Sequence, residues 1–315
     1  MKILVSELIW PSGLAKLKET GQVEYDPQLW QDRRGLLQKV RDVDALIIRN
    51  QTQVDHTLLE AAHRLRVVGR LGVGLDNIDL SLTKAKKIKV VYGRNANAIS
   101  VAEYVLACLL EASRFLSKAH QDVRQGHWNR KRFTGRELYG KQLGLIGLGE
   151  IAHRVAKRAQ AFGLSIVGYD PFVTSHDFQV AETGISLVSL RELLSSSDFI
   201  SIHVPLNEKT RGMITHRELK RMKRHAYLIN TSRGSIVDER DLLEAVQSGG
   251  IAGAFLDVLA EEPISPDNPL LKVENIRITP HIAGLTEESQ ERVSLLVAEE
   301  VSKVLRGQPS LCVLD

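Results

Sequence analysis

Short apolar runs recur along this chain and alternate with longer amphipathic stretches. Ile3–Val5, Ala45–Ile48, Arg66–Val68 and Lys89–Tyr92 are rich in Val and Ile and bounded by polar turns, which predicts strands. Leu36–Val40 and Leu58–Leu65 carry helical periodicity between them. Alternation of this kind predicts a parallel sheet with crossover helices. A second series follows, with strands expected at Gln142–Ile146, Ser165–Tyr169, Phe199–His203, Ala226–Asn230, Gly253–Asp257 and Arg277–Thr279. Helices are expected at Ile151–Phe162, Val188–Ser195 and Glu239–Ser248. Between the two series, Val101–Arg124 has no internal Gly or Pro and predicts one long helix. Thr286 can cap a final helix that carries Glu287 and Glu288 in its first turn and ends before Gly307.

The pattern predicts an α/β protein of two lobes, each a parallel sheet flanked by helices. The last helix comes after the second series closes, so the chain is expected to return to the first lobe. Residues 1–100 with 285–315 then form one domain, and residues 101–284 form a second domain inserted into it. A length of 315 residues suits two domains. The composition, 43% hydrophobic and 25% charged, is that of an ordinary globular protein. No run approaches the roughly 18 apolar residues of a membrane span, and the start does not read as a secretory signal. A cytoplasmic protein without a membrane partner is expected. Cys108 and Cys312 are the only cysteines; they read as reduced thiols, and no Cys or His spacing suggests a metal. The net charge of +4 is spread among acids, and its densest cluster, Arg130-Lys131-Arg132, is small. That argues against nucleic acid and for a basic surface that attracts small anions.

The chemistry gathers at predicted strand ends. Gly147-x-Gly149-x-x-Ala152 follows a strand and opens a helix, the context in which glycines let a dinucleotide pyrophosphate approach helix N–H groups. Asp170 ends the next strand at the distance expected of a ribose-binding acid, and its charge would repel a 2′-phosphate, so NAD is expected over NADP. Arg233 follows a strand beside Thr231 and Ser232, and its two-pronged guanidinium suits a substrate carboxylate and carbonyl. His281 follows the last strand, and Glu262 can orient its imidazole and stabilise the imidazolium, as a proton donor to an alkoxide requires. Glu261 is the competing acid. His203-x-Pro205 reads either as a strand terminator or as a wall of the adenine pocket. Arg70–Asn77 offers a glycine-rich turn of backbone N–H groups that either binds an anion or simply turns the chain. Arg49-Asn50-Gln51-Thr52 could form a second recognition loop.

These motifs together resemble the D-isomer-specific 2-hydroxyacid dehydrogenase family. The resemblance rests on G-V-G-L-D-N-I-D, S-V-A-E-Y-V, the Gly147 fingerprint with Y-D-P, H-V-P-L-N-E-K-T, N-T-S-R-G, D-V-L-A-E-E-P and T-P-H. It implies a Rossmann cofactor domain inserted into a flavodoxin-like substrate domain. It implies Arg233, Glu262 and His281 as catalytic residues, with a 2-hydroxy or 2-keto acid held by Arg233, His281, the Val73 and Gly74 amides, and Arg49 and Asn50. The implied NAD site is lined by Gly147, Leu148, Gly149, Glu150, Ile151, Asp170, His203, Pro205, Thr210, Thr231, Ser232, Asp257 and Gly284, together with Arg233 and His281. A homodimer through the region of the long helix is implied as well.

Departures from the family pattern bear on affinity and substrate. Glu150 places a charge beside the phosphates, which Arg154 can compensate. Ala152 replaces the third glycine. Gln51 replaces an arginine that some phosphoglycerate enzymes place near the phosphate, and a stop at Asp315 is expected to leave no room for a regulatory domain. The local wording is similar to the (S)-sulfolactate dehydrogenase branch, which makes Arg49 and Arg70 candidates for a sulfonate. Glu262 separates the chain from formate dehydrogenases, which carry glutamine there. An NADH-sensing corepressor is the alternative from another class.

Overall fold

The computed structural model describes residues 1–314. The chain opens with β1 (Lys2–Val5), α1 (Pro11–Lys18), β2 (Gln22–Tyr25), α2 (Arg33–Lys39), β3 (Ala45–Ile48), α3 (His56–Ala61), β4 (Val67–Arg70), α4 (Leu80–Ala85) and β5 (Lys89–Tyr92). It continues through α5 (Ala98–Arg114), α6 (Leu116–Arg124), β6 (Gln142–Ile146), α7 (Glu150–Ala161), β7 (Ser165–Tyr169), α8 (Phe178–Thr183), β8 (Ser186–Leu187) and α9 (Leu190–Ser196). Then come β9 (Phe199–Ile202), α10 (His216–Leu219), β10 (Tyr227–Asn230), α11 (Glu239–Gln247), β11 (Gly253–Leu256) and β12 (Ile276–Ile278). The chain closes with α12 (Glu287–Leu305) and β13 (Val313–Leu314). Two compact units result: residues 1–97 with those from Leu285 onward, and Ala98–Gly284, which interrupts the first in sequence.

The first unit holds a six-stranded sheet in the order β13-β5-β4-β3-β1-β2. Its five parallel strands follow the flavodoxin order, and β13 adds an antiparallel edge against β5, so the sheet is not wholly parallel. Strand residues alternate between two cores. Leu4, Leu46, Ile48 and Val68 pack with Leu36, Leu58 and Leu59 on one face. Ile3, Val5, Ile47 and Val67 pack with Val293, Val297 and Val301 of α12 on the other. Burial on both faces is why these strands read as continuous apolar runs. Thr286 caps α12 through the Ser289 N–H, with Glu287 and Glu288 in the first turn.

The second unit holds a seven-stranded, wholly parallel sheet in the order β12-β11-β10-β9-β6-β7-β8. Its order reverses at the β6–β9 pair, the switch point where doubly wound sheets bind ligands. The expected helix Val101–Arg124 is two helices. Phe115 adopts a left-handed conformation, φ +54°. The Ser113 carbonyl accepts from the Arg136 N–H rather than from its own helix, and Glu111 Oε1 accepts from Ser117 N at 3.2 Å, capping α6. One partner distant in sequence, Arg136, and one within α5, Glu111, take up the backbone groups at the break, where composition shows no breaker. Cys108 and Cys312 are free and buried.

Candidate active site

Register sets the site. β6 pairs Ile146 with Tyr169 of β7 and Ile202 of β9; Asn230 of β10 lies level with Ile202 and with Leu256 of β11, and Leu256 with Ile278 of β12. The next residue on each strand therefore falls on one rim: Asp170, Gly147, His203, Thr231, Asp257 and Thr279. Five of these six are candidates from the sequence.

Gly147 leaves β6 with φ +88°, and a Cβ there would lie 2.7 Å from the His203 carbonyl oxygen. Only glycine fits this backbone and this approach. The turn delivers Gly149 as N-cap of α7, with no side-chain cap. A Cβ on Gly149 would meet nothing within 4 Å, so the space beside the start of α7 is open. Asp170 Oδ2 accepts from Leu148 N at 2.9 Å and its Oδ1 from Phe172 N at 3.0 Å; lone pairs remain on both oxygens for a ribose hydroxyl. Glu150 pairs with Arg154 at 2.5 Å.

Farther along the rim, both ring nitrogens of His203 and Oγ1 of Thr231 are buried without a hydrogen-bond partner among the described residues. Burial pushes the His203 pKa down to about 4, so the imidazole is neutral. The Pro205 loop is closed by Thr210, whose Oγ1 donates to the Pro205 carbonyl at 2.6 Å. Ser232 Oγ donates to the Ile202 carbonyl at 2.8 Å and ties β10 to β9. Orphaned polar atoms beside an uncapped helix N-terminus fit a dinucleotide, which brings both hydrogen-bonding groups and phosphates.

The acid–base candidates converge on the far side of the rim. His281 Nδ1 lies 2.8 Å from Glu262 Oε2, and Glu262 Oε1 accepts from Leu259 N at 2.9 Å. Burial raises the Glu262 pKa, but the His281 hydrogen bond, the Leu259 N–H and the charges of His281 and Arg233 outweigh it and hold the carboxyl below its ordinary range. The structure thus pairs His281 with Glu262 and not with Glu261, and sets the Arg233 charge close enough to act on Glu262. His281 sits at φ +57°, a conformation a non-glycine residue keeps only where its surroundings impose it.

Asp257 is part of those surroundings. It is 1% exposed; Oδ1 accepts from Ile282 N and Oδ2 from Ala283 N, both at 2.8 Å. Its carbonyl accepts from His281 N at 2.9 Å. Gly284 follows directly in this loop. Three residues unassigned from the sequence also set the site. A Cβ on Gly234 would lie 1.8 Å from the Leu259 carbonyl carbon, so this glycine lets the Arg233 turn press against the loop bearing Glu262. Asn230 is fully buried and donates to the Arg233 carbonyl at 2.9 Å. Glu239 accepts from Ala260 N at 2.7 Å. Close approach leaves no signal in sequence beyond the glycine itself.

The first unit carries the remaining candidates at the carboxyl ends of β3 and β4. The amides of Arg49, Gln51 and Thr52 all donate to the carboxylate of Glu7, at 2.8–3.1 Å. This corrects the expectation of a recognition loop in one respect: its backbone donors serve the fold. The Arg49 side chain is half-buried with no ion-pair partner among the described residues, and burial lowers its pKa against the opposing pull of Glu7. Asn50 is exposed. Asn77 donates to the carbonyls of Arg49 and Thr52 at 3.0 and 2.8 Å, locking this loop to the turn that carries Val73 and Gly74. Arg70 donates to the Leu71 carbonyl at 3.2 Å.

Residues 106–283 match the model of the D-isomer specific 2-hydroxyacid dehydrogenase NAD-binding domain. The chain belongs to this family. It is 42% identical over 305 residues to an (S)-sulfolactate dehydrogenase of Chromohalobacter salexigens, covering 96% of this chain and 98% of that protein. It is 44% identical over 310 residues to a D-3-phosphoglycerate dehydrogenase of Methanocaldococcus jannaschii, covering 98% of this chain but only 58% of that longer protein. A solved protein from Thermus thermophilus superposes over the full length of both chains with a TM-score of 0.92 at 32% identity. As a dehydrogenase-family chain it keeps the fingerprint with two substitutions whose structural basis is now visible. Ala152 is fully buried where α7 packs on the sheet, and the acid at Glu150 is neutralised in place by Arg154.

Proposed function

We propose that this protein is an NAD-dependent 2-hydroxyacid dehydrogenase that interconverts a small anionic 2-hydroxy acid and its 2-keto acid. The observation that carries this reading is the His281–Glu262 pair, 2.8 Å apart, on the same sheet rim as the uncapped α7 N-terminus. The second unit serves the cofactor and the first the substrate, and family resemblance supports a homodimer.

NADH, when bound, supplies the hydride. The protein's own groups do the rest. Arg233 holds the substrate carboxylate and polarises the C2 carbonyl. His281 donates its Nε2 proton to the carbonyl oxygen as negative charge develops there, while Glu262 on Nδ1 fixes the ring and stabilises its charged form. Oxidation of the hydroxy acid reverses each step. Gly149 and the α7 N–H groups take the pyrophosphate, and the Asp170 carboxylate favours a ribose hydroxyl over a 2′-phosphate, hence NAD over NADP. His203 and Thr231 offer unpaired polar atoms to the rest of the cofactor.

On the first unit, the Val73 and Gly74 N–H groups donate to no described protein acceptor, and Arg49 has no ion-pair partner among the described residues. These are the anion donors that support an anionic substrate. Gln51 disfavours a phosphorylated one, and the full-length match to a sulfolactate dehydrogenase supports a sulfonated one.

The test is NADH oxidation with hydroxypyruvate, glyoxylate, phosphohydroxypyruvate and sulfopyruvate, repeated with NADPH. Turnover of at least one keto acid is expected, faster with NADH. Arg233→Ala and His281→Ala should each lose turnover by about a hundredfold or more while NADH binding, followed by fluorescence, stays largely intact. Near-normal activity in either variant would sink the assignment.

A further inference from the structure

The polar links between α5–α6 and β12 with its flanks follow a spacing that the proposed chemistry does not itself require. Tyr104, Glu111 and Lys118 lie seven residues apart, and Tyr104 and Glu111 therefore share one face of α5. Their partners Thr279, Arg277 and Asn275 lie two apart, on one side of β12 and its flanks. Tyr104 Oη lies 2.6 Å from Thr279 Oγ1, Glu111 is paired with Arg277, and Lys118 Nζ donates to Asn275 Oδ1 at 2.9 Å.

The first of these links continues inward. Thr279 Oγ1 lies 2.6 Å from Asp257 Oδ1, and the Asp257 carboxylate accepts the amides of Ile282 and Ala283 at 2.8 Å each. A carboxylate with three converging donors only accepts, so the Thr279 hydroxyl donates to it. That uses the one hydroxyl proton of Thr279, and Tyr104 must then donate to Thr279. The polarity of the chain is thereby set from helix to loop. It ends on the amides that follow His281, whose own N–H is held by the Asp257 carbonyl.

We propose that Tyr104 and Thr279 are positioning residues for His281: a one-directional hydrogen-bond relay, Tyr104 to Thr279 to Asp257, holds the His281 loop in its left-handed turn. Burial raises the pKa of Tyr104, which keeps its hydroxyl protonated as the donor the relay needs. The inference rests on the proposed role of His281 as proton donor, since misplacing that ring is what would slow turnover.

Tyr104→Phe removes the first donor and Thr279→Val the second, while Thr279→Ser keeps the relay. With NADH and the best keto acid of the panel, Tyr104→Phe and Thr279→Val should each lower kcat by about tenfold. KM for the keto acid and NADH affinity should stay within about twofold, the double variant should be little worse than either single one, and Thr279→Ser should recover most of kcat. Amide hydrogen exchange over residues 280–285 should quicken in Tyr104→Phe and Thr279→Val but not in Thr279→Ser. Unchanged kcat in both disabling variants overturns the positioning role, whatever the exchange rates. Lowered kcat with unchanged exchange overturns the relay as its cause. Should the unaltered protein reduce no keto acid, the functional reading fails, and exchange alone decides whether the relay holds the loop.

Discussion

His203 shows what burial does to a single residue of the rim. With both ring nitrogens buried and unpartnered, its pKa falls from 6.5 to about 4. In the unfolded chain the imidazole takes up a proton near pH 6.5; in the folded protein it does so only near pH 4. Between those values the unfolded state binds more protons, so stability falls as pH drops through this window and is regained above it. The gap corresponds to roughly 3 kcal/mol. Urea unfolding at pH 7 and pH 4.5 should show a loss of that order, and His203→Gln should remove much of it; an equal loss in the variant would exclude His203 as the source. Glu262 also has its pKa lowered, but there the shift favours the charged form. Against the opposing pull of burial, the His281 hydrogen bond and the Leu259 N–H hold the carboxyl below the ordinary carboxylate range and favour its ionised form beside His281. Residue chemistry of this kind was partly legible in sequence: a histidine or arginine just past a predicted strand draws attention by type and place. Burial of the His203 nitrogens was not legible, because it depends on neighbours from other elements.

At the scale of elements, the fully buried parallel strands and the capped helices were readable because their signals are local. Polar or very short pieces were not. The edge strand β2, Gln22–Tyr25, has one half-buried residue among exposed ones, and β13 has two residues. Helix α1 opens with Pro11-Ser12-Gly13, residues that suggest a turn, although proline suits the first helical position. The contact of the Arg233 turn with the Leu259–Ala260 backbone was equally silent. Gly234→Ala tests it directly. Its methyl would have to displace backbone atoms 1.8–2.2 Å away, so the variant should lose about 1–3 kcal/mol of stability in denaturant unfolding. Because the displaced segment carries Glu262, turnover should fall even under conditions where the variant remains folded. Wild-type stability and turnover in Gly234→Ala would show that the two turns do not depend on this close approach.

For the whole molecule, the division into units makes a separable claim about where the cofactor binds. Every residue assigned to the dinucleotide lies in Ala98–Gly284, which is continuous in sequence and has apolar cores on both faces of its own sheet. One core is built by α5 and α7 against Leu143, Leu145, Ile229 and Phe255; the other by α9, α10 and α11 against Ile200, Ile202, Leu228 and Ala254. A unit with a complete sheet and helices on both faces meets the requirement for independent folding. The first unit is in two segments and has no such simple excision. Residues 98–284 expressed alone should therefore unfold in one cooperative transition and bind NADH with an affinity within about tenfold of the intact protein, yet reduce no keto acid, since the anion donors proposed at Val73, Gly74 and Arg49 are missing. Fluorescence titration with NADH and a denaturant curve measure both points. A folded fragment that fails to bind NADH would mean that residues of the first unit belong to the cofactor site. A fragment that turns over keto acid at the intact rate would remove the first unit from substrate recognition.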